Sequence, residues 1–299
     1  MNSSQNKIKL IVVLGFTASG KSDLAVKLAR KFNGEIVSAD SRQVYKGMNI
    51  GTGKIIKEEM QGIPHHLLNV ANPKRQFTAA QYQEKAFKAI NKINKKGKIP
   101  IICGGTGFYI QTVIQGLKIP KVRPDLKLRK KLEKLTTEEL FKKLEKFDTR
   151  RAKNIDSKNR RRIIRALEIV IKSDKPVPCI KIQPQFNVLE LGIKKSFEEL
   201  KKLIKKRLLK RLRQGMIDEV RELRKSGLSW KRLDDFGLEY RYISKYLQNK
   251  LTKQEMIEKL QKEIEHYAKR QITWFKRDKK IYWVKDYKEA EASVNKFLS

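Results

Sequence analysis

The sequence predicts an α/β fold: a P-loop, doubly wound parallel sheet core interrupted by a mainly helical inserted domain. Three observations carry this. Short, continuous apolar runs end in glycine or aspartate, as strands buried on both faces of a parallel sheet do. Helical periods separate those runs at the spacing of strand–helix–strand units. Past residue 117 the strand signals give way to amphipathic helices, which end in the prolines Pro176, Pro178 and Pro184.

The elements follow in order. Lys9 to Leu14 reads as a buried strand ending in glycine. Asp23 to Phe32 carries Leu24, Ala25, Leu28 and Ala29 at a helical period. Glu35 to Ala39 is a second strand, ending at Asp40. Ala79 to Lys96 is a helix with Thr78 as N-cap and Gly97 as its stop. Ile99 to Cys103 is another buried strand, closing on Gly104-Gly105. In the insert, Arg123-Pro124-Asp125 opens one helix, Thr136-Thr137-Glu138-Glu139 caps the next, and Asn159 to Ile171 forms a third. Val188 to Ile193 returns to the sheet as a strand. Residues 197–225 read as one long basic helix and 252–275 as another. The expected division is residues 1–116 for the first part of the core, 117–195 for the basic insert, and 196–299 for a helical continuation of the core.

Composition narrows the function. In 299 residues, 39% are hydrophobic and 34% charged, and no apolar run reaches the roughly 18 residues of a membrane helix. The first residues lack the apolar stretch of a secretion signal, so a cytoplasmic enzyme with no membrane partner is expected. Two cysteines and three histidines exclude a disulfide scaffold and a Cys/His zinc finger. The net charge of +38 partly reflects lysine-rich usage. The segment 117–195 is nonetheless the shortest of the three and has the largest positive excess, which points to a nucleic-acid partner.

Gly15-Phe16-Thr17-Ala18-Ser19-Gly20-Lys21-Ser22 matches G-x-x-x-x-G-K-[ST], after a strand and before a helix. Its backbone N–H groups and the helix N-terminus suit phosphate oxygens. Lys21 adds a point charge, and Ser22 is the candidate ligand for Mg²⁺. The motif leaves open whether those phosphates belong to a nucleotide or to another diphosphate. Asp40-Ser41-Arg42-Gln43-Val44-Tyr45 puts a dense set of polar groups at the carboxyl edge of the sheet, where ligands bind in this architecture. Asp40 is the leading acid, because the strand ending at Cys103 runs into glycines where nucleotide hydrolases place one. Gly104-Gly105-Thr106-Gly107 is a second glycine-rich turn, with Thr106 aimed at the site. His65-His66 reads as structural. Residues Arg160 to Glu168 put Arg161, Arg165 and Glu168 near one helical face and Ile164 and Leu167 on the other. His266 to Arg277 interleaves aromatics with cations, as core aromatics with a basic rim or as a base-stacking strip.

Together these motifs resemble the tRNA dimethylallyltransferase family, of bacterial type. Gly15 to Ser22 is similar to its G-P-T-A-S-G-K-[ST] loop, with Phe16 where the family has proline. Asp40 to Tyr45 is similar to its D-S-x-Q-x-Y segment, Gly62 to Leu67 with Pro73 to its middle segment, and Gly104 to Tyr109 to its G-G-T-G-x-Y turn. Arg162 to Glu168 resembles its R-x-x-R-A-L-E helix, and Arg270-Gln271 with Trp274-Phe275 its R-Q-x-x-W-F. The family's G-Y-R-Q stands here as Gly237-Leu238-Glu239-Tyr240-Arg241-Tyr242.

The resemblance implies transfer of a dimethylallyl group from dimethylallyl diphosphate to N6 of adenosine 37 in tRNA, by a monomer. Asp40, Thr106 and Arg207 would be catalytic, and residues 15–22 would bind the diphosphate with Mg²⁺ on Ser22. The tRNA anticodon stem-loop would meet Asp40, Ser41, Arg42, Gln43, Thr106, Arg129 and the run Arg161, Arg162, Ile163, Ile164 and Arg165. The competing readings are a P-loop nucleotide kinase or RNA-dependent ATPase, an isopentenyltransferase acting on free adenine nucleotides, and a non-catalytic RNA-binding protein. A free-nucleotide enzyme has little use for a basic insert, and a binding protein would leave Asp40 and the glycine turn idle.

Overall fold

The computed structural model describes residues 7–120, 122–179 and 181–299. The chain divides into two compact units, one of residues up to Gly116 together with Pro184–Ser299, the other Leu117–Gln183. In the first unit, β1 (Ile8–Leu14) leads through the glycine-bearing loop into α1 (Lys21–Lys31), then β2 (Gly34–Ser38), α2 (Lys57–Met60), β3 (His65–His66), α3 (Ala79–Lys95), β4 (Ile99–Gly104) and α4 (Gly107–Ile114). The second unit holds α5 (Leu126–Leu132), α6 (Thr137–Phe147), α7 (Thr149–Lys153) and α8 (Arg160–Ser173). The first then resumes with β5 (Phe186–Ile193), α9 (Phe197–Arg213), α10 (Met216–Lys225), α11 (Trp230–Phe236), α12 (Leu238–Leu247), α13 (Lys253–Phe275), β6 (Tyr282–Val284) and α14 (Tyr287–Leu298). No helix among the described residues is long and apolar enough to cross a membrane.

The sheet has six parallel strands in the order β3-β2-β4-β1-β5-β6. Alternation along β1 explains the double winding. Leu10, Val12 and Leu14 pack with Tyr82, Ile90 and Ile93 of α3, Ile204 and Leu208 of α9, and Leu260 and Ile264 of α13. Ile11 and Val13 face the other way, onto α1 and the Ala290–Val294 side of α14. The carboxyl ends of β1, β4 and β2 therefore lie side by side, and they carry the phosphate loop, the Gly104–Gly107 turn and Asp40.

The expected caps are in place. Thr78 accepts from the Gln81 N–H at 3.3 Å while Gln81 Oε1 accepts the Thr78 N–H at 2.9 Å. The histidine pair is structural, as the sequence suggested: β3 pairs with β2, and His66 Nε2 lies 2.8 Å from Glu35 Oε2. Burial alone would raise the Glu35 carboxyl, but Lys96, His66 and Lys98 around it hold it down at about 2. One expected element is divided. Residues 197–225 form α9 and α10, because the chain turns at Gly215 with φ +91°, a conformation that stops the first helix.

The Leu117–Gln183 unit has its own core of Leu132, Leu140, Leu144, Ile163, Leu167 and Val170. Its helices start on Asp125, Thr136, Asp148 and Asn159, each accepting backbone N–H groups with its side chain. Glu168 is fully buried, not part of a solvated face. It takes Arg129 in a bidentate pair, both bonds 2.8 Å, together with Arg165 Nη1 and the Asp125 N–H at 2.7 Å. Ile163 and Ile164 correct the sequence expectation. Both are buried in this core, so their side chains are not an RNA surface, and the exposed part of that run narrows to Arg161 and Arg162.

Candidate active site

The phosphate loop leaves β1 at Gly15 and enters α1 through Gly20, whose φ of +89° turns the backbone into the helix. Phe16 is buried, with its ring stacked on Trp283 of β6 at 5.6 Å and 21°. A residue replacing the family's proline thus packs inward, and only its carbonyl faces the loop, where it accepts from Lys21 Nζ at 3.1 Å. Ser19 Oγ is buried and has no hydrogen-bond partner among the described residues, an orphan that a phosphate oxygen or a metal-bound ligand would satisfy.

Among the described residues, Lys21 and Arg207 lack carboxylate partners. Lys21 meets only the Phe16 carbonyl, and Arg207 of α9 meets the Gly53 carbonyl at 3.3 Å. Burial pulls the Lys21 ammonium below the usual lysine value, and the nearby Arg207 and Arg211 charges add to this while Asp40 opposes it. Burial, then the Arg211 charge, brings Arg207 down to about 10. Arg211 differs, because Glu239 pairs with it at 3.0 Å. Two half-buried cations without a carboxylate partner among the described residues thus stand by a loop of backbone N–H groups, an arrangement that suits a polyvalent anion.

Asp40 follows β2 and is half-buried. Its Oδ1 accepts the N–H groups of Arg42 at 2.8 Å and Gln43 at 3.2 Å, which fixes the carboxylate. Its charge reaches Lys21, Arg207, Cys103 and Tyr267, so one carboxylate sits amid the whole constellation. Thr106 N–H donates to the Ala39 carbonyl at 3.1 Å, and Thr106 Oγ1 accepts the Ser41 N–H at 3.0 Å. Asp40, Thr106 and the phosphate loop are therefore brought together. The neighbouring side chains serve the fold as well: Arg42 Nε donates to Phe236 O at 2.8 Å, and Gln43 Nε2 to Gly53 O at 3.2 Å.

The glycine-rich turn is glycine for steric reasons. A Cβ at Gly105 would lie 2.5 Å from Gln271 Nε2, and one at Gly107 would lie 2.2 Å from the Trp274 indole nitrogen. α13 thus docks on this turn. Its outer face, with Lys269, Arg270, Thr273, Trp274 and Arg277, lines an open cavity of about 250 Å³. The sequence offered core or surface for these aromatics, and the structure divides them: Phe275 is buried while Trp274 is 37% exposed. The Gly237–Tyr242 segment turns inward, with Glu239 on Arg211 and the Tyr240 hydroxyl donating to Glu219 at 2.8 Å.

Sequence reasoning missed Tyr82 and Tyr109, a buried stack at 4.1 Å whose Tyr82 hydroxyl has no partner among the described residues. Burial, followed by Tyr109, Cys103 and Asp40, raises that hydroxyl far above the usual range. Cys103, pushed up to about 11 by burial, lies at the foot of α1 with Ser22. Among the described residues no cluster of three His, Cys, Asp or Glu side chains is placed to hold a metal. The Ser22 hydroxyl and the ligand's own phosphate oxygens would therefore be the ligands of any divalent ion, a donor set of hard oxygens that fits.

Fold and site define a class: an α/β protein with a P-loop motif at the carboxyl edge of a parallel sheet, beside a fixed carboxylate. The sequence model described as IPP transferase matches residues 43–278. The tRNA dimethylallyltransferase of Carboxydothermus hydrogenoformans is 40% identical over 309 residues, covering 97% of this chain and 99% of that one. The crystal structure of the tRNA delta(2)-isopentenylpyrophosphate transferase from Staphylococcus epidermidis is similar with a TM-score of 0.72 at 34% identity, covering 97% and 99%. A eukaryotic dimethylallyltransferase acting on tRNA is similar with a TM-score of 0.80 at 28% identity, covering 97% of this chain and 77% of its own. The chain belongs to the IPP transferase family.

Proposed function

We propose that the chain transfers the dimethylallyl group of dimethylallyl diphosphate to N6 of adenosine 37 in tRNA and releases pyrophosphate. The observation that carries this reading is the placing of Lys21 and Arg207, which have no carboxylate partner among the described residues, near a fixed carboxylate. A nucleotide hydrolase would carry its acid at the end of β4, which here runs into Gly104 and Gly105, whereas the fixed acid of this site, Asp40, follows β2.

The exocyclic N6 is a weak nucleophile, because its lone pair is delocalised into the ring. As N6 attacks the allylic carbon, the bond from that carbon to the diphosphate oxygen breaks, and Asp40 Oδ2 takes the proton that N6 sheds. Lys21, Arg207 and those N–H groups of residues 15–22 that are not already bonded within the fold, as Thr17's is to Gln271, receive the charge that grows on pyrophosphate. Thr106 holds the Ser41 backbone beside Asp40, and its remaining lone pair and proton face the flipped base. Ser22, together with the diphosphate, would hold a divalent ion, Mg²⁺ in this reading, which would add to the neutralisation of the leaving oxygens. The exposed Arg161 and Arg162 of the helical unit grip the anticodon stem-loop, and the enzyme acts as a cytoplasmic monomer.

The test is direct. Incubation with dimethylallyl diphosphate and unmodified tRNA should give dimethylallyladenosine at position 37 in nucleoside digests, with one pyrophosphate per transfer. Asp40→Asn keeps shape and removes the proton acceptor, so turnover should fall by roughly 10²-fold while pyrophosphate binding stays within a few-fold. ATP hydrolysis without prenylation would replace this reading with the nucleotide-hydrolase one.

A further inference from the structure

We propose that Gln271 is a positioning residue that sets the spacing between the phosphate loop and the glycine-rich turn. Through them it sets the distance between donor and acceptor; the inference rests on the transfer reaction proposed above. Gln271 is 6% exposed and projects from α13. Its Oε1 accepts the Thr17 N–H at 2.8 Å, and its Nε2 donates to the Gly105 carbonyl at 2.9 Å. One amide is thus spent entirely on the main chains of two separate loops.

The hydrogen bonds continue from there. Thr106, next to Gly105, donates its N–H to Ala39 O and accepts from the Ser41 N–H, and Asp40 Oδ1 accepts from Arg42 and Gln43. The route from the diphosphate cradle to the proposed base therefore passes through the Gln271 amide. Only a side chain with a donor and an acceptor at one planar end can bridge an N–H and a C=O in this way. Trp274, one turn further along α13, lies against Gly107 and keeps the helix seated on the same turn. Displacing one loop from the other by about 1 Å would cost on the order of 10²-fold in rate, because attack at carbon needs the nucleophile in line and close.

Two substitutions in the full chain test this. Gln271→Met keeps length and removes both hydrogen bonds. It should lower kcat by about 10- to 100-fold, with KM for tRNA and the Kd of inorganic pyrophosphate changing far less. Gln271→Glu separates positioning from stability. The protonated carboxyl donates to Gly105 and accepts from Thr17 as the amide does, whereas the ionised form sets an oxygen against the Gly105 carbonyl. Its kcat relative to the unsubstituted chain should therefore climb several-fold as pH drops from about 8 to about 6. A role in stability alone lowers the melting temperature and leaves the two pH profiles parallel. Parallel profiles, or an undiminished kcat in Gln271→Met, overturn the positioning role while leaving the transferase reading intact. An unsubstituted chain that binds pyrophosphate but prenylates no tRNA removes both.

Discussion

In the α/β unit, Lys21 and Arg207 are half-buried and, among the described residues, donate only to main-chain carbonyls, whereas in the helical unit Arg129 and Arg165 close on the buried carboxylate of Glu168. The same kind of charge does opposite work. A desolvated cation without a counter-ion costs the fold free energy and keeps its field for a ligand. A cation locked on a buried carboxylate serves the fold and has little field left to offer. Basic residues on one chain therefore fall into three groups: those without a carboxylate in the site, those locked on buried carboxylates in either unit, as Lys96 on Glu35 and Arg129 on Glu168 are, and those at the surface. Arg161 and Arg162 are in the last group.

The sharpest way to break this comparison is to remove a waiting cation. Lys21→Met deletes a charge that has no carboxylate partner among the described residues, so its melting temperature should match or exceed that of the unsubstituted chain. Transfer should nevertheless fall by about 10²- to 10³-fold, since the lost interaction is strongest with the departing pyrophosphate. A variant that loses stability and activity together would mean that Lys21 belongs with the structural cations. Next in size is the opposite change. Glu168→Ala leaves two guanidinium groups and the Asp125 N–H without their acceptor. About 2–3 kcal/mol of stability should go from the helical unit, at the lower end of such losses because both arginines remain partly solvated. Hydrogen exchange along α8 should accelerate accordingly while the β1 amides stay protected.

These groupings show what the sequence made legible and what it did not. The phosphate loop, Asp40 and the glycine turn could be read because each is a local signal: a strand-length apolar run followed by a short motif at the carboxyl edge of the sheet. The helix caps at Thr78, Thr136 and Asn159 were legible for the same reason. Partnerships across the chain were not. Glu168 meets Arg129 from 39 residues away, and Gln271 meets Thr17 from 254 and Gly105 from 166. Periodicity puts Glu168 near the helical face of Arg161 and Arg165 and does not reveal its burial, because a helical wheel shows which residues share a face and not what covers it. Ile163 and Ile164 fell into an RNA-binding run through the family resemblance, although packing of α6 against α8 buries both. Residues 197–225 share one helical period, and that period does not show the turn that the chain makes at Gly215.

The smallest expected effect is the one that decides what the exposed arginines do. If Arg161 and Arg162 grip phosphates, replacing both with glutamine should raise KM for tRNA by about 10-fold at moderate salt and leave kcat at saturating tRNA unchanged. The dependence of log affinity on log salt should also flatten by about one unit for each phosphate no longer neutralised, so by about two in the double variant. Arg165→Gln provides the contrast. That guanidinium is engaged with Glu168 and with the Val122 carbonyl at 2.9 Å, so its loss should act mainly on the stability of the helical unit and hardly on the salt slope. Lysine-rich usage without an RNA role predicts an unchanged slope in both variants, as does an enzyme acting on a free nucleotide. A slope that stays put in the Arg161/Arg162 variant, with α8 still protected from exchange, would take the helical unit out of tRNA recognition and leave its positive charge without an assigned partner.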